Sequence, residues 1–280
     1  MTDRGIIINL APTGMIPTRA MTPHAPLTVD EIVEDVSRCV ELGANVVHLH
    51  ARDDDGRPTW RKEVYARLIG GIRERHPSVV IGVSLSGRDV QDIDQRADPL
   101  ELSDDLRPDL ASLTLSSLNF GTGPSINAPE TVVALAMRMA DRGIRPELEV
   151  FDLGMLSVVE RLSAKGILRP PYYVNLILGN VAGAQPTAAH VAALQASMMP
   201  GSIWTAGGIG RAQNAAVTLG TMLGDGARIG IEDNVWADRA RSRLTTNSEL
   251  VERVLGLAAV LERPIATHEQ TRTMLGLQPR

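Results

Sequence analysis

The sequence predicts an α/β protein, a single (β/α)8 TIM barrel spanning residues 1–280. Three observations predict it. Eight short apolar runs, rich in Val and Ile, alternate with helical patterns from end to end, as in a parallel sheet covered by helices. No stretch is long or polar enough to act as a linker, and 280 residues suit one α/β barrel. Residues able to do chemistry stand at the C-terminal ends of the runs, where this fold carries its sites.

The strand candidates, in order, are Gly5–Leu10, Ala44–His50, Val79–Ser84, Leu110–Leu115, Glu147–Phe151, Tyr172–Leu178, Ser202–Thr205 and Ala227–Ile231. After the first comes a Pro-rich segment, residues 11–28, expected to be an active-site loop. Thr28-Val29-Asp30-Glu31 then forms a capping box. Ile32, Val33, Val36 and Val40 follow at helical spacing, and Gly43 closes the helix. Asn127–Glu130 is expected to repeat the box ahead of Val132, Val133, Leu135 and Met139, with Gly143 as the stop. Leu250, Val254, Leu257 and Leu261 form a last stripe, stopped by Pro264.

Composition narrows the function. Hydrophobic residues make up 44% and charged residues 22%, so a packed core is expected. The net charge is −5, and basic runs are missing, which argues against a nucleic-acid surface. No apolar stretch nears the ~18 residues of a membrane span, and residues 1–10 lack a signal-peptide pattern, so the expected location is cytoplasmic. Cys39 is the lone cysteine, which excludes an intrachain disulfide and an all-Cys metal site.

The sharpest motif is Val46-Val47-His48-Leu49-His50-Ala51-Arg52-Asp53. Strand side chains alternate faces, so His48 and His50 point the same way. Two imidazoles on one face suit a divalent metal; the plain alternative is a hydrogen-bonded polar pair. A third ligand is available in Arg228-Ile229-Gly230-Ile231-Glu232-Asp233-Asn234, where Glu232 shares a face with Arg228. Asp233, paired with Arg228, is expected to have a lowered pKa and to act as a general base; the alternative is an acidic turn capping a helix. Glu149 lies inside an apolar strand and needs a partner, for which Arg228 is the candidate. Thr205-Ala206-Gly207-Gly208-Ile209-Gly210-Arg211 reads either as an anion-binding loop or as a tight βα turn. Ser84, Ser86 and Ser112 offer hydroxyls for a substrate carboxylate or for helix caps.

Taken together, the early Pro-rich loop, His48-Leu49-His50 with Arg52, Asp53 and Gly56, Asn119-Phe120-Gly121, Glu147-Leu148-Glu149-Val150-Phe151-Asp152, Trp204-Thr205, Gly208-Ile209-Gly210-Arg211 and Gly230-Ile231-Glu232-Asp233-Asn234 resemble the β-keto acid cleavage enzymes over nearly the whole chain. The resemblance implies a zinc-dependent (Zn2+) acyltransferase on a (β/α)8 barrel, usually tetrameric. It would convert a β-keto acid and acetyl-CoA into acetoacetate and a new acyl-CoA. It implies His48, His50 and Glu232 as zinc ligands, and Asp233 as base supported by Arg228 and Glu149. Ser84, Gly87 and Ser112 would hold the substrate carboxylate, and Gly14 and Met15 would lie at its tail. No lysine stands at a strand end to form a Schiff base, so the metal must stabilise the enolate.

One departure concerns specificity. The family's type member holds a substrate amino group with a first-loop glutamate, whereas this chain reads Thr13-Gly14-Met15-Ile16. A neutral or differently charged β-keto acid is therefore expected, and Arg19 is a candidate for an anionic tail. Two rival readings remain. One is a metal-dependent hydrolase or aldolase, which would need histidines beyond His24, His76, His190 and His268 at its strand ends. The other is a non-catalytic ligand-binding barrel.

Overall fold

The structure is a computed structural model that describes residues 4–121 and 123–280. Eight parallel strands close into a barrel: β1 (Ile7–Leu10), β2 (Val46–Leu49), β3 (Val80–Val83), β4 (Leu110–Thr114), β5 (Arg145–Val150), β6 (Tyr172–Leu178), β7 (Ser202–Gly208) and β8 (Gly226–Ile229). Each pairs with its sequence neighbours, and β8 returns to β1 through Asn9 opposite Arg228. The closure leaves no free sheet edge. Two small antiparallel hairpins, Ala51–Arg52 with Pro58–Thr59 and Leu118–Phe120 with Gly123–Ser125, lie outside the barrel.

The helices are α1 (Val29–Leu42), α2 (Lys62–Arg75), α3 (Ile93–Ala97), α4 (Pro129–Asp141), α5 (Leu153–Ala164), α6 (Ala188–Ala196), α7 (Gln213–Leu223), α8 (Asn247–Val260) and α9 (His268–Met274). The α1 capping box forms, with Thr28 Oγ1 accepting from Glu31 N and Glu31 Oε2 accepting from Thr28 N. Gly43 caps its end. The box expected at α4 does not form: Ala128 is the N-cap and makes no side-chain cap. Asn127 is used elsewhere, its Oδ1 accepting from Arg96 Nη2 at 2.8 Å. The α8 stripe ends at Val260, before Pro264, and Glu262 takes a left-handed turn with φ of 54°.

Two apolar layers hold the barrel. The outer one lies between strands and helices, with Ile8, Val47, Ile81 and Ala111 against Ile32, Leu68, Ile72 and Val251. The inner one plugs the N-terminal end with Ile7, Val46, Val80, Leu110, Tyr173 and Ile203, covered by Leu275. One step further along the same inward face the residues turn polar. Ile7 gives way to Asn9, Val46 to His48, Tyr173 to Asn175 and Ile203 to Thr205. Period-two alternation thus places an apolar floor under a polar chamber. Among the described residues, no helix is long and apolar enough to cross a membrane.

Candidate active site and metal centre

The chamber is organised around Glu147, a fully buried carboxylate on β5. Its Oε1 accepts from Asn9 Nδ2 at 2.7 Å and from Asn175 Nδ2 at 2.6 Å. Its Oε2 lies 2.7 Å from His48 Nδ1. Tyr173 hydroxyl accepts from Asn9 Nδ2 at 2.9 Å, and Thr205 Oγ1 donates to Asn175 Oδ1 at 2.8 Å. Burial works to raise the Glu147 carboxyl, but His48, Arg228 and Asn9 outweigh it and hold the group at about 2. An ionised Glu147 accepts a hydrogen bond from His48 Nδ1–H, which leaves Nε2 with its lone pair turned up the barrel. Gly207 makes room for Arg228: a Cβ there would fall 2.9 Å from the Cβ of Arg228.

Above Glu147, His48 Nε2 faces His50 Nε2 at 3.3 Å, and His50 Nε2 lies 3.4 Å from Glu232 Oε1. One ligand atom each from His48, His50 and Glu232 falls within 4.8 Å of the others. Glu232 Oε2 is buried and has no hydrogen-bond partner among the described residues. Two lone-pair nitrogens and a carboxylate with an unused oxygen, converging on one point, form the donor set of an open divalent-metal site. The residues therefore fit the ion that the sequence implies. Burial opposes the charge on Glu232, yet His50, Arg228 and His48 hold its pKa well below the usual range.

Arg228, on β8 and fully buried, joins this cluster to the second carboxylate pair. Its Nη2 donates to Glu232 Oε1 at 2.6 Å and its Nε to Asp233 Oδ2 at 3.0 Å. Glu149 Oε1 lies 3.7 Å from its Nη1, and Glu149 Oε2 accepts from Thr114 Oγ1 at 2.5 Å. The partner expected for Glu149 is thus present. The lowered pKa expected for Asp233 is not: burial and the neighbouring Glu232 charge raise it despite Arg228.

A cavity of about 380 Å3 opens above these groups and is lined by His50, Ser84, Glu149, Arg228, Glu232 and Asp233. Met15 also lines it. Gly14 instead packs under Glu232: with φ of 66°, a Cβ there would come 2.5 Å from Glu232 Cγ. The Gly14 carbonyl accepts from Arg52 Nε and Nη2, which ties the 11–28 loop to the hairpin that follows β2. Ser112 is buried behind the wall, where its Oγ accepts from Leu85 N at 3.0 Å. Thr114, two residues on, lines the cavity. At Gly87 a Cβ would strike Ile126 O at 2.4 Å, while its neighbours Ser86 and Arg88 face the cavity. Arg19 faces away, bonded to Glu31 and to the carbonyls of Pro23 and Ala25.

Glu147, Asn9 and Asn175 carry the arrangement but were absent from the candidate residues. The signal was present for Glu147, which stands two residues before Glu149 just as His48 stands before His50. The glycine cluster at the end of β7 meets the βα-turn reading only in part. Gly207 and Gly208 still pair with Ile177 and Leu178, so the strand runs through them, and only Gly210 begins the turn.

Comparison with known proteins accords with this geometry. A profile of the beta-keto acid cleavage enzymes matches residues 5–277. The chain belongs to this family. It is 35% identical over 274 residues to a 3-keto-5-aminohexanoate cleavage enzyme of Fusobacterium nucleatum subsp. nucleatum, covering 98% of each chain. It is 36% identical over 275 residues to a 3-oxoadipate:acetyl-CoA acetyltransferase of Cupriavidus necator, covering 97% of this chain and 94% of that one. These names agree with the expectation of an acyltransferase. Among solved structures, the apo form of ObcA superposes with a TM-score of 0.79 at 24% identity, over 92% of this chain. A ternary complex of ObcA with a C4-CoA adduct and oxalate superposes with a TM-score of 0.78 at 25% identity, over 92% of this chain. The chain spans about two thirds of ObcA's length.

Proposed function

We propose that this family member exchanges the acyl group of a β-keto acid with acetyl-CoA, giving acetoacetate and a new acyl-CoA. The observation that carries the reading is the convergence of His48, His50 and Glu232 beneath a cavity that Asp233 also lines. A divalent ion held by these three, zinc by preference for its nitrogen and oxygen ligands, would supply Lewis acidity toward the substrate's keto oxygen.

The chain's own groups do the rest. Asp233 takes a proton from the carbon between the keto and carboxylate groups, and its raised pKa makes it the stronger base for that task. That carbon then bonds to the thioester carbonyl and expels CoA thiolate, which adds to the original keto carbon. The old C–C bond breaks, and Asp233 returns the proton to the departing acetoacetate carbon. Arg228 Nε holds Asp233 in place throughout. Ser84 and Thr114 present hydroxyls for the carboxylate of the substrate. Phe120, Phe151, Ile177, Ile209 and Val235 line the same cavity and disfavour water, so that thiolate rather than hydroxide attacks.

Met15, Ile16, Pro17 and Met21 form the loop's part of the wall, and none is acidic. Arg88 lies there too, 3.8 Å over the Phe120 ring. The tail of the substrate is accordingly uncharged or anionic, not cationic.

The test is a β-keto acid panel with and without acetyl-CoA. Acetoacetate appearing only when acetyl-CoA is present, and slower turnover of an amino-bearing chain than of an uncharged one of equal length, is the expected result. Keto acid loss without acetyl-CoA would replace this reading with hydrolysis or aldol cleavage.

A further inference from the structure

A second cavity, of about 360 Å3, adjoins the first beside the segment after β7. The two share Gly210, Asn234, Trp236 and Arg241 in their walls, so they lie side by side. Three arginines surround the second: Arg211 ahead of α7, and Arg239 and Arg241 in the loop before α8. All three are exposed, and among the described residues none of their guanidinium groups makes a salt bridge or side-chain hydrogen bond.

One carboxylate shares this wall, Asp238, but its oxygens are engaged. Oδ2 accepts from Ser242 N, Ser242 Oγ and Arg243 N, and Oδ1 also accepts from Ser242 N. That binding folds the loop around the carboxylate. The wall therefore presents surplus positive charge beside the cavity that the reacting groups line.

Resting on the reading above, we propose that this second cavity binds the phosphate groups of acetyl-CoA through Arg211, Arg239 and Arg241. The chemistry selects the ligand. The acyl donor carries its reactive carbonyl at one end of a flexible arm and its anionic phosphates at the other. The first cavity offers carboxylates and an imidazole, and the cavity next to it offers guanidinium groups. Guanidinium forks bind phosphate oxygens in pairs, and each such contact gains strength from both charges. The turn at Gly210, with φ of 57°, brings Arg211 and Arg241 to the same mouth: a Cβ at Gly210 would lie 3.4 Å from Arg241 Nη2.

The experiment compares two acyl donors in the metal-loaded full-length enzyme. One is acetyl-CoA; the other is the acetyl thioester of N-acetylcysteamine, which keeps the reacting carbonyl and lacks every phosphate. Relative to wild type, Arg211→Ala and Arg239→Ala should each lower the ratio of kcat/KM for acetyl-CoA to that for the truncated donor by about tenfold, the scale of one charged hydrogen bond. Dephospho-CoA thioester separates the terminal phosphate from the diphosphate. A salt series on wild type guards against variants that fail to fold: KM for acetyl-CoA should rise with salt and KM for the truncated donor should not. A ratio unaltered in both variants, or equal salt dependence for the two donors, would overturn the proposal. Acetoacetate formation from neither donor would instead overturn the acyl-exchange reading itself.

Discussion

The barrel buries charge at both ends, and the two ends resolve it in opposite ways. At the N-terminal end Asp109, just ahead of β4, meets three arginines: Arg73 of α2, Arg272 of α9 and Arg280 near the chain terminus. Surplus positive charge there ends on the chain's own carbonyls. Arg73 donates to Asp105 O and Arg107 O, and Arg272 donates to Gln278 O. At the C-terminal end Glu147, Glu149, Glu232 and Asp233 surround Arg228 with His48 and His50 beside them. Surplus negative charge there converges on one point, and an oxygen of Glu232 is left unused. Buried charge answered by a carboxylate and by backbone carbonyls serves to lock elements together, although Arg73 Nε and Arg272 Nη1 keep no hydrogen-bond partner among the described residues. Buried charge left unanswered and facing a cavity calls for a ligand of opposite sign.

The largest effect should come from breaking the unanswered end. His48→Ala removes one ligand and the group that Glu147 orients. It is expected to lose bound metal and to slow acetoacetate formation by about three orders of magnitude, the scale of a lost Lewis acid. Asp233→Asn should keep the metal and lose about 100- to 10,000-fold in kcat. Metal analysis beside steady-state kinetics separates them. An Asn variant that released its metal would move Asp233 from base to ligand.

How far the sequence could foresee this contrast depends on spacing. His48 and His50, or Glu232 and Arg228, share a face because strand geometry repeats every two residues, so the candidate ligand triad was readable from motifs at two strand ends. All eight strands were likewise readable from apolar runs, and they differ from the structure mainly at their ends. Gly207 and Gly208 were harder. Glycine in sequence suggests a turn, yet here its missing Cβ makes room for Arg228 and for the Ala212 carbonyl, whose oxygen would lie 2.7 Å from a Cβ on Gly208. The pKa of Asp233 was beyond motif reading, because burial and a like charge on Glu232 outweigh the arginine. Ser112 was a near miss: Thr114, two residues on, reaches the cavity wall. The Asp109 cluster has no local signature, since α9 and Arg280 come from the far end of the chain.

Asp109→Asn tests the answered end. It leaves buried arginines without their carboxylate, and breaking such a pair costs about 3–5 kcal/mol. Thermal unfolding should show the loss, while kcat at a temperature where the variant is folded should stay within about twofold of wild type. A variant with normal stability and poor turnover would erase the distinction between the two ends.

The smallest effect sharpens the comparison at the site's own rim. Glu31 ties the 11–28 loop to α1: its carboxylate accepts from Leu27 N at 2.9 Å and Thr28 N at 3.0 Å, and it pairs with Arg19. Burial works to raise its pKa, but those backbone donors and Arg19 outweigh it and bring the group from 4.5 down to about 2. A carboxyl depressed on folding contributes stability that is complete above its unfolded value and vanishes as pH falls through the folded one. The window therefore runs from about 4.5 down to about 2. The side chain is 42% exposed, so solvent screens the pair and the benefit is that of a helix cap, about 1 kcal/mol. Glu31→Gln should accordingly melt slightly below wild type at pH 6, and the gap should close as both are taken from pH 4.5 toward 2. A gap that stayed constant across that range would show that shape rather than charge fastens this loop beside the candidate site.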